Sequence, residues 1–239
     1  MMKTMKLLTV LLLGVFSLQE IQAHALWVST AHSGTKGVSH DVKVFFAEPG
    51  EKWEPLDGDE WKLVEGFELW LVKPNGEKSR LKLFPEDDHY AASFTPEVDG
   101  LYGVELKHEK VGVLTFEKMP PFIPYFYASA AIIVGKGSLA QLKKSDLPIQ
   151  VVPQWNGSSK VDGFTIVIKD GGKGKAFVVT PNGAVKQLGE VASGTQTFEA
   201  KESGTYQVEL SVQDKKGGSF EGKEYKAAFY TATTVFEIP

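Results

Sequence analysis

The chain contains no cysteine. Disulfide bonds are therefore excluded, although export from the cytoplasm would permit them. An N-terminal lipid anchor is excluded as well, because such an anchor is attached to a cysteine at the processing site. The fold must be stabilised by hydrophobic cores alone. About 215 residues remain if an N-terminal export signal is removed, and a chain of that length can build one or two such cores.

Long hydrophobic runs are also missing. The longest is Leu7–Phe16, which follows a start with two lysines and is too short to span a bilayer, since a span needs ~20 apolar residues. We therefore expect no transmembrane helix and predict that residues 1–23 are a cleaved signal peptide, which makes the protein periplasmic or secreted. Cleavage after Ala23, which we slightly favour, leaves His24 as the first residue. Cleavage after Ala25 fits the small-x-small rule better but removes His24.

The chain has slightly fewer basic than acidic residues, with 26 Lys and Arg against 30 Asp and Glu, and its net charge is −4. This balance argues against nucleic acid as a partner, because nucleic-acid-binding proteins use a basic patch to displace counterions. It also does not indicate an anionic membrane surface, and we expect no membrane insertion after signal cleavage. The sequence has no nucleophile elbow, P-loop or dinucleotide fingerprint and no spacing typical of a catalytic triad. We therefore predict that the protein is not an enzyme.

What the sequence does contain is short alternating apolar runs punctuated by turn residues. A period of two places one set of side chains inside and the other outside, as in a half-buried β-strand. Turn sequences such as Pro74-Asn75-Gly76 and Pro181-Asn182-Gly183 separate the runs. We predict an all-β fold from this pattern, and the alternating runs are 67–71, 102–106, 164–168 and 206–210.

An internal repeat divides the chain. Gly100–Leu106 is echoed by Gly204–Leu210, 104 residues later, and each segment opens Gly-x-Tyr. Such a tyrosine at the start of a strand indicates a tyrosine corner, and a repeat of this length matches one β-sandwich. The predicted fold is two tandem immunoglobulin-like antiparallel β-sandwich domains after the cleaved signal peptide, over residues 24–142 and 146–239.

Three histidines are candidate metal ligands. If His24 is the first residue, its α-amine and imidazole can chelate one ion, and nitrogen ligands suit nickel, cobalt, copper and zinc. Alternatively, His24 is only the residue that follows the cut. His108 shares the alternating face of Tyr102 and aligns with Val212 in the repeat. It either lies at a solvated strand end or binds a ligand.

His89 is the third candidate, in the acidic segment Glu86-Asp87-Asp88-His89. The segment is either a loop for a divalent cation or a solvated turn, and the turn is favoured because calcium loops need more widely spaced oxygen ligands. His32 and His40 would face each other if their flanking strands pair as a hairpin, with or without a metal. The five tryptophans and the stretch 119–127 either form an aromatic platform for sugar or peptide or, as is favoured for most of them, pack in the core and at the domain interface. Trp53 is expected to be the most exposed of them.

The order of several short motifs resembles an uncharacterised periplasmic family labelled as the periplasmic component of cobalt or nickel uptake (NikM-like). The similarity covers nearly the whole mature chain. It rests on five segments, namely His24-Ala25-Leu26-Trp27-Val28, Pro49-Gly50, Asp99-Gly100-Leu101-Tyr102, Leu147 to Pro153 and Tyr230 to Phe236. This resemblance implies β-sandwich domains and a role in handling transition-metal ions outside the cytoplasm.

The resemblance also implies which residues hold the metal. The family's histidine-plus-aromatic start corresponds to His24 and Trp27. Members commonly carry Gly-His at the end of the second strand, where this chain has Ala47-Glu48. Glu48 is expected to substitute as an oxygen ligand, and this would weaken the binding of a borderline metal.

The leading hypothesis is a non-enzymatic periplasmic binding protein for a divalent transition metal (nickel, cobalt, copper or zinc) in uptake or delivery, with a membrane transporter as its possible partner. Its predicted ligands are His24, His108 and His89. The alternative is a structural or interaction module that presents loops or an edge strand to a protein or glycan at the cell envelope.

Overall fold

A computed structural model describes residues 24–117, 119–138, 145–156 and 160–238. Across these ranges the chain forms β-strands, one short 3-10 helix at Asp59–Leu63 and no α-helix. The all-β prediction is therefore confirmed. The predicted signal peptide, residues 1–23, lies outside the described residues.

The first half of the chain builds two facing layers. One is a four-stranded antiparallel sheet in the order β1-β3-β7-β6, formed by Ala25–Thr30, His40–Ala47, Tyr90–Phe94 and Phe84–Pro85 respectively. The opposite layer has the order β5-β4-β8-β10, formed by Lys78–Arg80, Glu68–Val72, Gly100–His108 and Met119–Val134. Two short strands, β2 (Ser33–Gly34) and β9 (Leu114–Phe116), pair with β10. Apolar and polar residues alternate along these strands, so each layer has one apolar face. The side chains of the two apolar faces fill the space between the layers.

The second half repeats this arrangement. Its smaller sheet has the order β11-β12-β15, formed by Ile149–Trp155, Val161–Ile168 and Gly194–Thr197. The opposite layer has the order β14-β13-β16-β19, formed by Val185–Ala192, Lys173–Val179, Gly204–Asp214 and Ala227–Ile238. A hairpin of β17 (Gly218–Phe220) and β18 (Lys223–Tyr225) precedes the last strand.

The larger layers of the two halves are parts of one continuous sheet. β10 and β19 pair in parallel, from Phe122 opposite Ala227 to Ala128 opposite Thr233. This junction joins the strands in the order β14-β13-β16-β19-β10-β8-β4-β5. The tandem-domain prediction did not include this sheet, because it is formed by residues more than a hundred positions apart.

Two main hydrophobic cores lie on opposite faces of the continuous sheet. Phe126 and Ala128 of β10 belong to the core of the first half, whereas Tyr127 between them belongs to the core of the second. Successive side chains of a strand point to opposite faces, so the two cores are separated by the sheet itself. The predicted domain limits, 24–142 and 146–239, stay a prediction.

The predicted tyrosine corners are present in both halves. The hydroxyl of Tyr102 donates to the carbonyl oxygen of Val98 at 3.0 Å and accepts from the Val98 amide at 3.2 Å. Tyr206 makes the same two bonds with Glu202, each at 3.0 Å. The repeat seen in the sequence is therefore a repeat of hydrogen-bonded structure.

The turn that precedes each corner strand also recurs. Gly100 has φ 147° and Gly204 has φ 123°. A Cβ atom on Gly100 would lie 2.7 Å from Pro74, and one on Gly204 would lie 2.9 Å from Pro181. Both glycines are thus required by the close approach of a proline from the Pro-Asn-Gly turn.

Candidate metal centre

His24 lies immediately before β1, at the edge of the first core. Its ring contacts Phe46, with the two centroids 5.1 Å apart, and its side chain is 30% exposed. β1 pairs with β3 so that Ala25 lies opposite Ala47. One position beyond this pair, His24 comes beside Glu48.

Two carboxylates contact the His24 imidazole, one at each nitrogen. Nε2 lies 3.0 Å from Oε1 of Glu54, and Nδ1 lies 3.5 Å from Oε1 of Glu48. Glu54 is fixed by its backbone, because its amide donates to the Phe46 carbonyl at 2.9 Å and its carbonyl accepts from Trp61 Nε1 at 3.0 Å. The imidazole is therefore oriented from the Glu54 side.

This arrangement has the features of a metal-ligating histidine. Such histidines usually donate the N–H of the non-ligating nitrogen to a carboxylate, which fixes the tautomer and the ring orientation. When Nε2 of His24 carries the proton, this N–H donates to Glu54. The lone pair of Nδ1 is then directed toward Glu48. Two donors about 2.0–2.2 Å from one tetrahedral ion lie roughly 3.3–3.6 Å apart, and the 3.5 Å between Nδ1 and Glu48 falls in this range.

Side chains alone do not complete a ligand set at His24. Within residues 24–117, 119–138, 145–156 and 160–238, no group of three His, Cys, Asp or Glu side chains could hold a metal ion. Glu54 bonds the nitrogen that points away from Glu48, so only two side chains converge on one point. A third donor here has to come from the backbone, and the α-amine of a His24 that begins the chain would supply it.

His89 lies on the other side of the β1-β3-β7-β6 sheet. Its ring contacts Phe45, at a centroid distance of 5.1 Å, and its Nδ1 lies 2.7 Å from Oδ1 of Asp88. Phe45 and Phe46 are consecutive in β3 and point to opposite faces, so the structure does not bring His89 to His24. The amide of Glu86 donates to the His89 carbonyl at 2.9 Å, which closes the acidic segment as a turn.

His108 is buried at the end of β8, on the face that lines the first core. Its side chain is 2% exposed, so the interpretation as a solvated strand end is wrong. Neither ring nitrogen has a hydrogen-bond partner in the described part of the chain. Burial, and then the charge of Lys110, lower the pKa of His108 to about 4, so the imidazole is neutral at pH 7. No hydrogen bond, ion pair or ring contact joins it to His24 or His89 in these residues.

The strands that flank His32 and His40, β1 and β3, pair as an antiparallel hairpin, as the prediction required. The His32 ring stacks on Trp155 of the second half, with centroids 3.8 Å apart and planes at 16°. Nε2 of His40 lies 2.8 Å from Oγ1 of Thr30. Burial lowers the pKa of His40. Both rings are therefore engaged in packing.

Sequence reasoning missed Glu54, which is thirty positions from its partner. The local sequence pointed instead to its neighbour Trp53 as an exposed residue. Trp53 is half-buried and stacks on Phe45, with the ring centroids 4.5 Å apart. No local pattern marks Glu54 as a partner of His24. The nearest signal was the presence of two acidic residues, Glu51 and Glu54, on either side of Trp53.

Comparison with protein-family models gives no match, and comparison with curated protein sequences gives none either. In the described ranges the chain has no helix long and apolar enough to cross a membrane.

Proposed function

We propose that this chain is a non-enzymatic binding protein for a divalent transition metal, acting outside the cytoplasm in uptake or delivery. The observation that carries the proposal is the His24 imidazole, which is oriented by Glu54 and turns its other nitrogen toward Glu48. Cleavage after Ala23 would place a free α-amine on the same residue.

Each donor has a distinct role in the proposed site. The α-amine and Nδ1 of His24 chelate the ion, and Glu48 closes the site with one carboxylate oxygen. Glu54 keeps the proton on Nε2 and does not ligate. Two nitrogen donors and one oxygen donor suit copper, nickel, cobalt or zinc better than magnesium or calcium, which prefer oxygen ligands.

His108 and His89, the other two predicted ligands, are not assigned to this ion. His89 lies on the far side of the β1-β3-β7-β6 sheet, against Phe45. His108 has no contact with His24 and is enclosed in the first core. The ion is instead held at the edge of the core, where a His24 side chain that is 30% exposed leaves it accessible to a membrane transporter.

Binding should weaken as the pH falls. A metal competes with protons for the imidazole and the amine, so the affinity declines as the pH falls. At low pH, protons displace the metal from the same donors that bind it at pH 7, so the metal is released.

The first experiment is the native mass of the protein purified from its own exported fraction, without a tag or chelator. A mass that begins at His24 and includes one transition-metal ion supports the proposal. A mass that begins at Leu26 contradicts it, because the chelating residue is then absent. A mass that begins at His24 and stays metal-free after addition of stoichiometric copper, nickel, cobalt and zinc also contradicts it, and it favours the interaction module.

A matched set of variants locates the site. Titration calorimetry should show a large loss of metal affinity for His24→Ala and a smaller loss for Glu48→Gln. A chain with one glycine added before His24 keeps the imidazole but displaces the amine, and it should lose affinity nearly as strongly. His89→Ala is the control and should bind as the unchanged protein does. Equal affinity across the whole set would refute the assignment.

A further inference from the structure

A second candidate site lies at the parallel junction between the two halves, on the face of the second core. Tyr125 of β10 is directly opposite Tyr230 of β19 in the parallel register. Their rings stack, with centroids 5.0 Å apart and planes at 30°. Both side chains are half-buried and pack at the edge of the second core, so each ring keeps a solvent-facing part.

A third tyrosine is held beside this pair. Tyr225 ends the β17–β18 hairpin, and its ring packs on Gly218, where a Cβ atom would lie only 2.4 Å from the Tyr225 hydroxyl. The hairpin is tied to β10 by a hydrogen bond of 2.7 Å from the Lys226 amide to the Pro121 carbonyl. We call Tyr125, Tyr225 and Tyr230 the tyrosine shelf.

The hydroxyl of the neighbouring Tyr127 donates to Glu109 at 2.8 Å, so Tyr127 is engaged within the protein and is not part of the shelf. Partial burial raises the pKa of both Tyr125 and Tyr230, and Tyr225 raises each of them further. The phenols of Tyr125 and Tyr230 therefore stay neutral at pH 7, and the faces of the aromatic rings carry partial negative charge.

Carboxylates surround the tyrosine shelf. Val212 lies opposite Tyr230 in the β16–β19 pair, and Asp214, two residues further along, lies on the same face. Asp214 accepts a hydrogen bond of 2.8 Å from the Lys216 amide, and the negative charges of Asp214 and Asp170 both raise the pKa of Tyr230. Glu109 also lies nearby but is paired with Lys107 at 2.7 Å. The shelf thus combines aromatic faces with the nearby negative charges of Asp214 and Asp170.

We propose that the tyrosine shelf binds an organic ammonium cation, with Asp214 at its rim. Cations are attracted to the faces of aromatic rings, and cages of such rings recognise quaternary ammonium groups. An apolar peptide would gain nothing from these carboxylates, and a neutral sugar would gain only hydrogen bonds that its hydroxyls also make to water. The proposal concerns the second core and is independent of the metal site at His24.

Choline is the probe, and its neutral isostere 3,3-dimethylbutan-1-ol is the matched control. Titration calorimetry on the full mature chain should show choline binding about tenfold more tightly than the alcohol, the size expected for a cation over partly desolvated rings. Equal affinity for the two compounds, or no binding of choline, would overturn the proposal.

Variants test the shelf itself. Tyr230→Leu keeps the apolar volume but removes the aromatic face, so choline affinity should fall about tenfold, whereas Tyr230→Phe should bind within about twofold of the unchanged protein. Asp214→Asn, which alters a half-buried residue at the strand end, should weaken choline by a few fold without affecting the alcohol. Unchanged choline affinity in both Tyr230→Leu and Asp214→Asn would contradict the site.

Two further measurements complete the design. His24→Ala should leave choline binding intact, which separates this proposal from the metal site. Co-sedimentation with phosphatidylcholine vesicles, competed by free choline, would identify a lipid headgroup as the source of the ammonium group. Binding of choline without vesicle binding would identify a free solute, and both results support the site.

Discussion

Glu105 in β8 and Glu209 in β16 occupy equivalent positions of the repeat, but among the described residues only Glu105 has a cation beside it. Nζ of Lys78 lies 2.9 Å from Oε2 of Glu105 and 2.8 Å from Oδ2 of Asp146. Oε1 of Glu209 accepts a hydrogen bond of 3.1 Å from Ser211, and Oε2 has no partner in the described residues. Lys78 corresponds to Val185, because Val72 opposite Lys78 and Val179 opposite Val185 are equivalent.

The comparison shows two ways of tolerating a buried acid. The first half keeps a charge and supplies its partner. Burial would lower the pKa of Lys78, but its bonds to Asp146 and Glu105 raise it overall. The second half keeps the acid neutral, since burial raises the pKa of Glu209 to about 8. Equivalent strands can therefore share a fold while differing in their response to pH.

Glu209 also lies near β1, the strand that follows His24. Glu209 is opposite Thr233 in the β16–β19 pair, and the Thr233 hydroxyl donates to the Leu26 carbonyl in β1. The equivalent residue, Ser129, donates to the Val151 carbonyl in β11 at 3.1 Å. Each half thus anchors the first strand of the other.

Lys78→Val gives the first half the arrangement of the second and should have the largest effect. Lys78 is exposed, but its removal leaves the buried carboxylate of Glu105 without its cation, so we expect the free energy of unfolding at pH 7 to fall by about 2.5 kcal/mol. Chemical denaturation measures it. Val98→Thr, at a residue that is 51% exposed, is the control and should change stability little. A loss no larger than in this control would mean that solvent already compensates Glu105.

Glu209→Gln should stabilise the second half by about 2 kcal/mol at pH 8. Between pH 4.5 and about 8 the folded state keeps a proton on Glu209 that the unfolded chain releases. Stability therefore falls as the pH rises through this window, and the variant should lack this fall. Denaturation midpoints from pH 5 to pH 9 measure the slope.

Val185→Lys is the complementary change, because it offers Glu209 the cation that Lys78 gives Glu105. It should lower the pKa of Glu209 and flatten the same slope. If neither Glu209→Gln nor Val185→Lys alters the pH dependence, Glu209 is not the group that titrates.

These differences between the halves mark the limit of sequence reasoning. Strands, Pro-Asn-Gly turns and tyrosine corners were predictable, because each is specified by residues within a few positions of one another. The parallel pair from Phe122 opposite Ala227 was not, since it joins two strand edges with no local pattern. The bond from His24 to Glu54 was missed for the same reason.

The repeat itself was more informative than either half alone. It placed His108 on the core face opposite Val212 in the alignment, and burial of His108 confirms that face. Whether its nitrogens would find partners depends on side chains from other strands. The sequence therefore left two interpretations of His108, a solvated strand end or a ligand-binding residue, and could not decide between them.

His108→Val copies the residue of the second half into the first. A buried imidazole with both nitrogens unpartnered costs free energy, so the variant should gain about 1.5 kcal/mol at pH 7. Below pH 6.5 the unfolded chain binds a proton on His108, whereas the folded protein does not bind this proton until the pH falls to about 4. Stability of the unchanged protein therefore falls as the pH is lowered through that window, and the fall should be smaller in the variant. A loss of stability in His108→Val at pH 7 would show that the imidazole has a partner.

The tyrosine corners are where the two halves should behave alike. Tyr102→Phe and Tyr206→Phe each remove a hydroxyl that bonds the backbone four residues upstream, in almost the same geometry. Each should cost about 1 kcal/mol, the usual net value of one hydrogen bond. Because the rings are nearly fully buried in separate cores, the double variant should lose the sum of the two. Thermal denaturation of the four proteins gives the comparison. A double variant that loses clearly more than the sum would mean that the continuous sheet couples the two cores, since the corners share no contact through which they could otherwise interact.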